Sequence, residues 1–269
     1  MTKRIILAVA LLMIFNIGFA DVIEEISKQF SINWTKGEII VQTDMETHDY
    51  LLGKEFTDEI RDYKVKLKEK MIYEILKGIN NIAFDENRQV SDIFQVFPEK
   101  ETKLISTLMK FDFKDFRYYN KMVYGRYEIP IFGENSLFEV IKLPTIKQSY
   151  SKFIGYSEPK VYTGLLINVN KLDFKISLSP TIVSENGEVI YSYGNMENNK
   201  QHIHYFESLN QAISSGIFGD RIYYLFPKEI AGRNRSRIII SDDDVYRILS
   251  TDENFGIFEL GKVGIITKE

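Results

Sequence analysis

Between Leu52 and Asn80 the apolar residues Phe56, Ile60, Tyr63, Leu67, Met71, Ile75 and Ile79 recur at intervals of three or four. That spacing puts them on one face of a long helix. Tyr63–Lys68 alternates locally as a strand would, but the helical frame runs longer and contains no breaker. The lysines Lys64, Lys66, Lys68 and Lys70 read as a solvated helix face, with Asp62 spaced to pair with Lys66. Upstream, Phe30–Trp34 and Glu38–Val41 are β-prone arms flanking Thr35-Lys36-Gly37, which predicts a hairpin. Trp34, the one tryptophan, is expected as a buried anchor beneath the helix bearing Phe56, Ile60 and Tyr63, since an indole carries a large area to bury. Gly78–Asn81 stops the helix, and Glu99–Met109 after Pro98 forms a shorter one with Leu104, Ile105 and Leu108 on one face. Tyr119, Val123, Tyr127, Ile129 and Ile131 are all odd-numbered, so they share one face of a single strand. Gly133-Glu134-Asn135 would turn that strand back into another at Leu137–Ile141.

The second half has shorter signals. Gly164–Val169 is an apolar strand, Pro180 interrupts the following run, and Asn186-Gly187 stands between Thr181–Val183 and Val189–Tyr191. An Asn-Gly pair tolerates positive φ at both turn positions and so closes a two-residue hairpin. A short helix is expected at Ser208–Ser214, buried strands at Ile222–Phe226 and Ile238–Ile240, and a last strand at Lys262–Thr267. Ser241 caps a further helix whose first turn holds Asp242, Asp243 and Asp244, where acids suit the positive end of the helix dipole. Lys142–Glu158, with Pro144 inside it and Pro159 after it, is the expected boundary. The pattern predicts an α+β protein of two small domains, residues 21–150 and 151–269, each a mainly antiparallel sheet packed against one or two helices. Trp34, Gly37, Gly164, Pro180, Asn186 and Gly187 are its structural markers.

The first twenty residues change the picture. Met1–Arg4 is basic, Ile5–Phe15 almost wholly apolar, and Gly18-Phe19-Ala20 offers small residues before Asp21. These are the three regions of a signal peptide cleaved near Ala20, and the apolar run is too short for a spanning helix of about 20 residues. Cleavage removes Lys3 and Arg4 and no acid, taking the net charge from −4 to −6. An acidic chain lacks the basic footprint that nucleic acid requires. There is no cysteine, so neither a disulfide framework nor amino-terminal lipidation is expected. The expectation is a periplasmic protein with no transmembrane segment after cleavage.

No catalytic constellation is legible, nor a phosphate loop, and no cofactor is expected. His202 and His204 could present two imidazoles on one side of a strand, but no third ligand completes a metal site, and a polar loop end is the favoured reading. Asp242–Asp244 are explained as helix-start residues rather than metal ligands. Arg233, Arg235 and Arg237 alternate, so an extended backbone would present all three on one side as contacts for an anion or a partner; a charged strand edge that blocks aggregation is the commoner use.

Ile32–Val41 followed by a long helix resembles the opening of a family that joins small bacterial envelope lipoproteins to the amino-terminal domain of the flagellar T-ring assembly protein (FlgT). Tyr162–Ile167, Leu178–Ile182, Asn186–Tyr191, Ile238–Leu249 and Gly261-Lys262-Val263 resemble segments of its long exported members. The chain departs from the family in lacking the lipidation cysteine, in having Asn168 where an acid is expected, and in having no alanine-rich helix face. The resemblance implies a non-enzymatic exported protein that assists a cell-envelope assembly, the flagellum among the possibilities, with envelope or flagellar proteins as partners. The alternative is a binding module for an anionic envelope polymer or lipid, using the three arginines.

Overall fold

A computed structural model describes residues 20–47, 56–144, 150–155, 158–195 and 201–268. Its fold is α+β with two domains. The first contains β1 (Ile23–Glu25), β2 (Phe30–Asn33), β3 (Glu38–Glu46), α1 (Phe56–Ile79), α2 (Val90–Val96), α3 (Pro98–Leu108), β4 (Asp115–Tyr119), β5 (Met122–Pro130) and α4 (Leu137–Ile141). Its five strands form one antiparallel sheet in the order β1-β2-β3-β5-β4. The β2–β3 hairpin forms as the pattern predicts, with Gly37 at φ +66° in the turn. Phe30, Ile32, Ile39, Val41, Tyr127 and Ile129 are buried on one face of the sheet, together with Leu67, Met71, Ile75 and Ile79 of α1. Gly78 lets helix and sheet approach closely, for a Cβ there would lie 2.5 Å from the Phe30 ring.

Three expectations for this domain change. Tyr119–Ile131 is a hairpin rather than one strand, because Asn120 and Lys121 both take positive φ and reverse the chain. Tyr119 is accordingly exposed, while Val123, Tyr127, Ile129 and Ile131 are buried. Leu137–Ile141 is helical: the Ser136 side chain accepts from Glu139 N, and Glu139 accepts in return from Asn135 N. In α3, Leu104 and Leu108 are buried but Ile105 is not. The side chain of Phe56 and all of Leu52 lie outside the described residues.

The second domain contains β6 (Gly164–Asn168), β7 (Thr181–Ser184), β8 (Val189–Tyr191), β9 (His204–Phe206), α5 (Leu209–Ser214), β10 (Ile222–Leu225), β11 (Glu229–Ala231), β12 (Arg237–Ile240), α6 (Asp242–Ile248), α7 (Phe255–Glu259) and β13 (Val263–Ile266). Here pairing departs from the antiparallel expectation. One sheet, β10-β6-β13-β9, is parallel throughout; the other, β11-β12-β7-β8, is mixed, with β12 parallel to β7. The reason is burial on both faces. Every residue of β6 and β13 is buried, with Leu165 and Ile167 in the main core and Leu166 beside Phe206, Ala212 and Phe218 on the other side. Gly164 is required there, because a Cβ would lie 2.5 Å from the Phe218 Cβ. Strand β10 is an edge rather than a buried strand, and Phe226 beyond it is exposed.

The β7–β8 turn spans four residues rather than two. Gly187 N donates to Ser184 O at 3.0 Å and Ser184 N to Glu188 O at 2.9 Å, with a bulge in the ladder. Of the expected pair only Gly187 has positive φ, +81°; Asn186 instead donates from Nδ2 to Asp242 Oδ2 at 2.7 Å, tying the turn to the start of α6. Pro180 is buried just before β7. Ser241 caps α6 as expected, accepting from Asp244 N.

Candidate functional site

The two domains meet over a shared apolar core that runs from Val22 and Phe30 to Val263 and Ile265. Backbone bonds cross the junction: Leu178 N donates to Ala83 O at 2.9 Å, Ser179 N to Phe84 O at 2.7 Å, and Asn234 N to Glu86 O at 2.8 Å. Gly232 allows that last approach, since a Cβ on it would sit 2.8 Å from Glu86 O. Trp34 also belongs to this junction. Its side chain is buried, its ring meets Tyr205 of the second domain edge-on at 5.7 Å, and its Nε1 donates to Glu24 Oε2 at 2.8 Å. The indole is therefore an anchor as expected, but the ring it packs on is across the junction from α1. Thr35 Oγ1 donates to Tyr205 O beside it, and burial raises the Tyr205 phenol far above its ordinary pKa.

Beside Trp34 a groove of about 770 Å³ opens between the domains. One wall is the edge strand β1 with Ile82 and Ala83; the other is Phe174-Lys175-Ile176 with Arg233 and Asn234. Three cations line it, Lys175, Arg233 and Lys268, against the single carboxylate of Glu24. Lys268 Nζ is 2.8 Å from Glu207, whereas Lys175 and Arg233 have no ion-pair partner among the described residues. A second hollow, about 950 Å³, lies on the strands β3, β4 and β5 beside Tyr119 and Tyr124, but its arginines are neutralised locally: Arg117 by Asp115 and Arg126 by Glu128, each at 2.7 Å.

The arginine triplet does not share one strand side. Gly232–Arg235 is a turn, closed by Arg235 N donating to Gly232 O at 3.1 Å, and Arg235 sits at φ +53°. Arg235 Nε is 3.3 Å from Asp173, and the Arg237 guanidinium grips both Glu86 oxygens across the junction. Only Arg233 reaches the groove. The alternation of charges in sequence could not reveal the intervening glycine-led turn.

His202 is buried rather than at a polar loop end. It lies among Phe132, Phe138 and Tyr193, with ring centroids 5.1, 5.0 and 6.2 Å away. Burial lowers its pKa to about 3 and that of His204 to about 4, so both rings are neutral at pH 7. His48, the third histidine of the chain, lies outside the described residues. Among the described residues no cluster of three His, Asp or Glu could hold a metal, and no helix is long and apolar enough to cross a membrane.

Residues 164–269, from the first residue of β6 onward, match a family model described as the second domain of Treponema pallidum Tp0624. The match covers less than half of the chain, which over those residues is similar to that domain. No curated protein gives a match.

Proposed function

We propose that this chain is a non-enzymatic exported protein that assists a cell-envelope assembly through protein contacts made at the groove between its domains. The groove carries the reading. It joins apolar walls, the edge strand β1 and two cations without an ion-pair partner among the described residues, Lys175 and Arg233, and it is framed by Trp34 and the junction that fixes both walls. The apolar segment before Asp21 supports export to the periplasm, and the resemblance to the envelope lipoprotein and T-ring family supports an envelope partner, with the flagellum as the assembly to examine first. An anionic polymer held by three arginines is the weaker reading, because Arg235 and Arg237 are engaged by Asp173 and Glu86.

The test joins location to partner. Mass spectrometry of the native protein should give a terminus near Asp21 with no acyl chain, and capture from envelope extracts should recover one defined protein whose loss reproduces the phenotype, motility included, of deleting this chain. Intact Met1 in the cytoplasmic fraction, or turnover of an envelope substrate by the purified protein, would overturn the proposal.

A further inference from the structure

We infer that the open edge of β1 takes an extended, acidic segment of a partner protein as an added strand; this deepens the protein-contact reading and rests on it. The hydrogen-bond register shows which backbone groups are spare. Trp34 N donates to Val22 O at 2.8 Å and Ile26 N to Phe30 O at 3.0 Å, with Ile23 opposite Asn33 and Glu25 opposite Ser31. In an antiparallel ladder, residues alternate between bonding the neighbour and pointing away from it. Val22, Glu24 and Ile26 therefore face β2, with Val22 N donating to Thr35 Oγ1 just beyond it, while Ile23 and Glu25 aim an N–H and a C=O each outward. Neither Ile23 nor Glu25 receives or makes another backbone bond among the described residues. Proteins cover such an edge, shorten it or guard it with charge; β1 is three residues long and carries Glu24 and Glu25, so what it leaves open to an added strand is the outward N–H and C=O of Ile23 and Glu25.

The surroundings select the occupant. Across the groove Phe174 and Ile176 are half-buried and apolar, with Lys175 exposed between them, so an added strand would meet apolar surface and positive charge in alternation. Lys175 and Arg233 are unpaired among the described residues, on a chain whose net charge is −4. Local positive charge in a globally acidic molecule attracts acidic side chains and repels basic ones. Of the two acids on β1, Glu24 is held by the Trp34 indole, while exposed Glu25 would stand directly beside the added strand, so the register that fits sets an apolar residue opposite Glu25 and turns the acids toward Lys175 and Arg233. The occupant that fits is an extended peptide alternating apolar and acidic residues.

The experiment uses the full chain and three fluorescein-labelled decapeptides read by anisotropy: alternating Val-Glu, alternating Val-Lys, and Val-Glu with a proline at its centre. The Val-Glu peptide should bind, and the other two should bind at least about tenfold more weakly. Lys175→Glu combined with Arg233→Glu, both at exposed positions, should weaken Val-Glu binding by about tenfold or more. Ile23→Pro, which deletes an outward N–H, should do the same with an unchanged circular dichroism spectrum. Equal binding of the proline-interrupted peptide would reduce the interaction to charge alone and overturn strand addition. So would absence of Val-Glu binding, or a dimer that pairs β1 with β1 in sedimentation. If envelope capture recovers its partner equally well with wild type and with the double charge variant, the protein-contact reading stands and this inference fails; if capture recovers nothing with either, the broader reading fails as well.

Discussion

Trp34→Ala tests the junction most severely. The indole is 1% exposed and packs on Tyr205 from the other domain, so truncation removes a large buried surface that no nearby side chain can refill without moving the interface. Such truncations cost about 3–5 kcal/mol, against a typical total stability of about 5–15 kcal/mol. For a chain of this size each kcal/mol corresponds to about 2–4 °C in Tm, so the midpoint should fall by roughly 6–20 °C. Trp34→Phe keeps most of the ring but loses the bond to Glu24, and should cost about 1–2 kcal/mol. The assay is thermal unfolding by circular dichroism, with near-ultraviolet signals from the tyrosines of the second domain followed alongside. Because Trp34 is the only tryptophan, wild-type fluorescence reports opening of the junction directly, and its transition should coincide with the dichroism transition. A midpoint within about 2 °C of wild type after Trp34→Ala would refute the anchoring role.

The remaining stability tests separate distinct causes. Gly187 has φ +81° with open space where a Cβ would stand, so Gly187→Val should cost about 1–2 kcal/mol through backbone strain alone, and Gly187→Asn much less; equal losses in urea titrations would show that the turn is not the cause. Gly164→Ala should cost more, above about 2 kcal/mol, because the methyl meets the Phe218 backbone and Cβ within 2.8 Å; an unchanged urea midpoint would mean that β6 and the Phe218 loop can part freely. His202 has a folded pKa of about 3 against an ordinary value of 6.5, so the unfolded chain takes up the proton first. Its contribution is fully present above pH 6.5 and is lost as pH falls toward 3, by about 1.4 kcal/mol per pH unit. His202→Phe should flatten that slope between about pH 6 and 4, and an unaltered slope would place the titration elsewhere.

What is legible in the sequence follows from the range of each signal. The long period of α1, the Gly37 hairpin, the Ser241 cap and the apolar runs at β6, β12 and β13 are local patterns, and each appears where the residues put it. The helix at Leu137–Ile141 is equally local, signalled by Ser136 three residues before Glu139, but the preceding Gly-Glu-Asn suggests a strand reversal more strongly. Helix α2 carries too few apolar repeats to stand out from its loop. Pairing direction is hidden, because parallel neighbours such as β6 and β13 are far apart in sequence and share only their burial. The groove is hidden for the same reason: Trp34 and Arg233 both stand out as residues, yet nothing local says that they line one hollow, and nothing in the alternation of Arg233, Arg235 and Arg237 announces that Gly232 begins a turn among them.

The most direct test of the groove as the working surface is site-specific photo-crosslinking in the native host, with a photoreactive residue at Ile23 and, as a control, at exposed Lys103 on α3. The account predicts a single adduct from position 23 in the envelope fraction, absent from position 103 and lost when Lys175→Glu and Arg233→Glu are combined. The same adduct from both positions, or one from position 23 that survives the charge reversals, would contradict it.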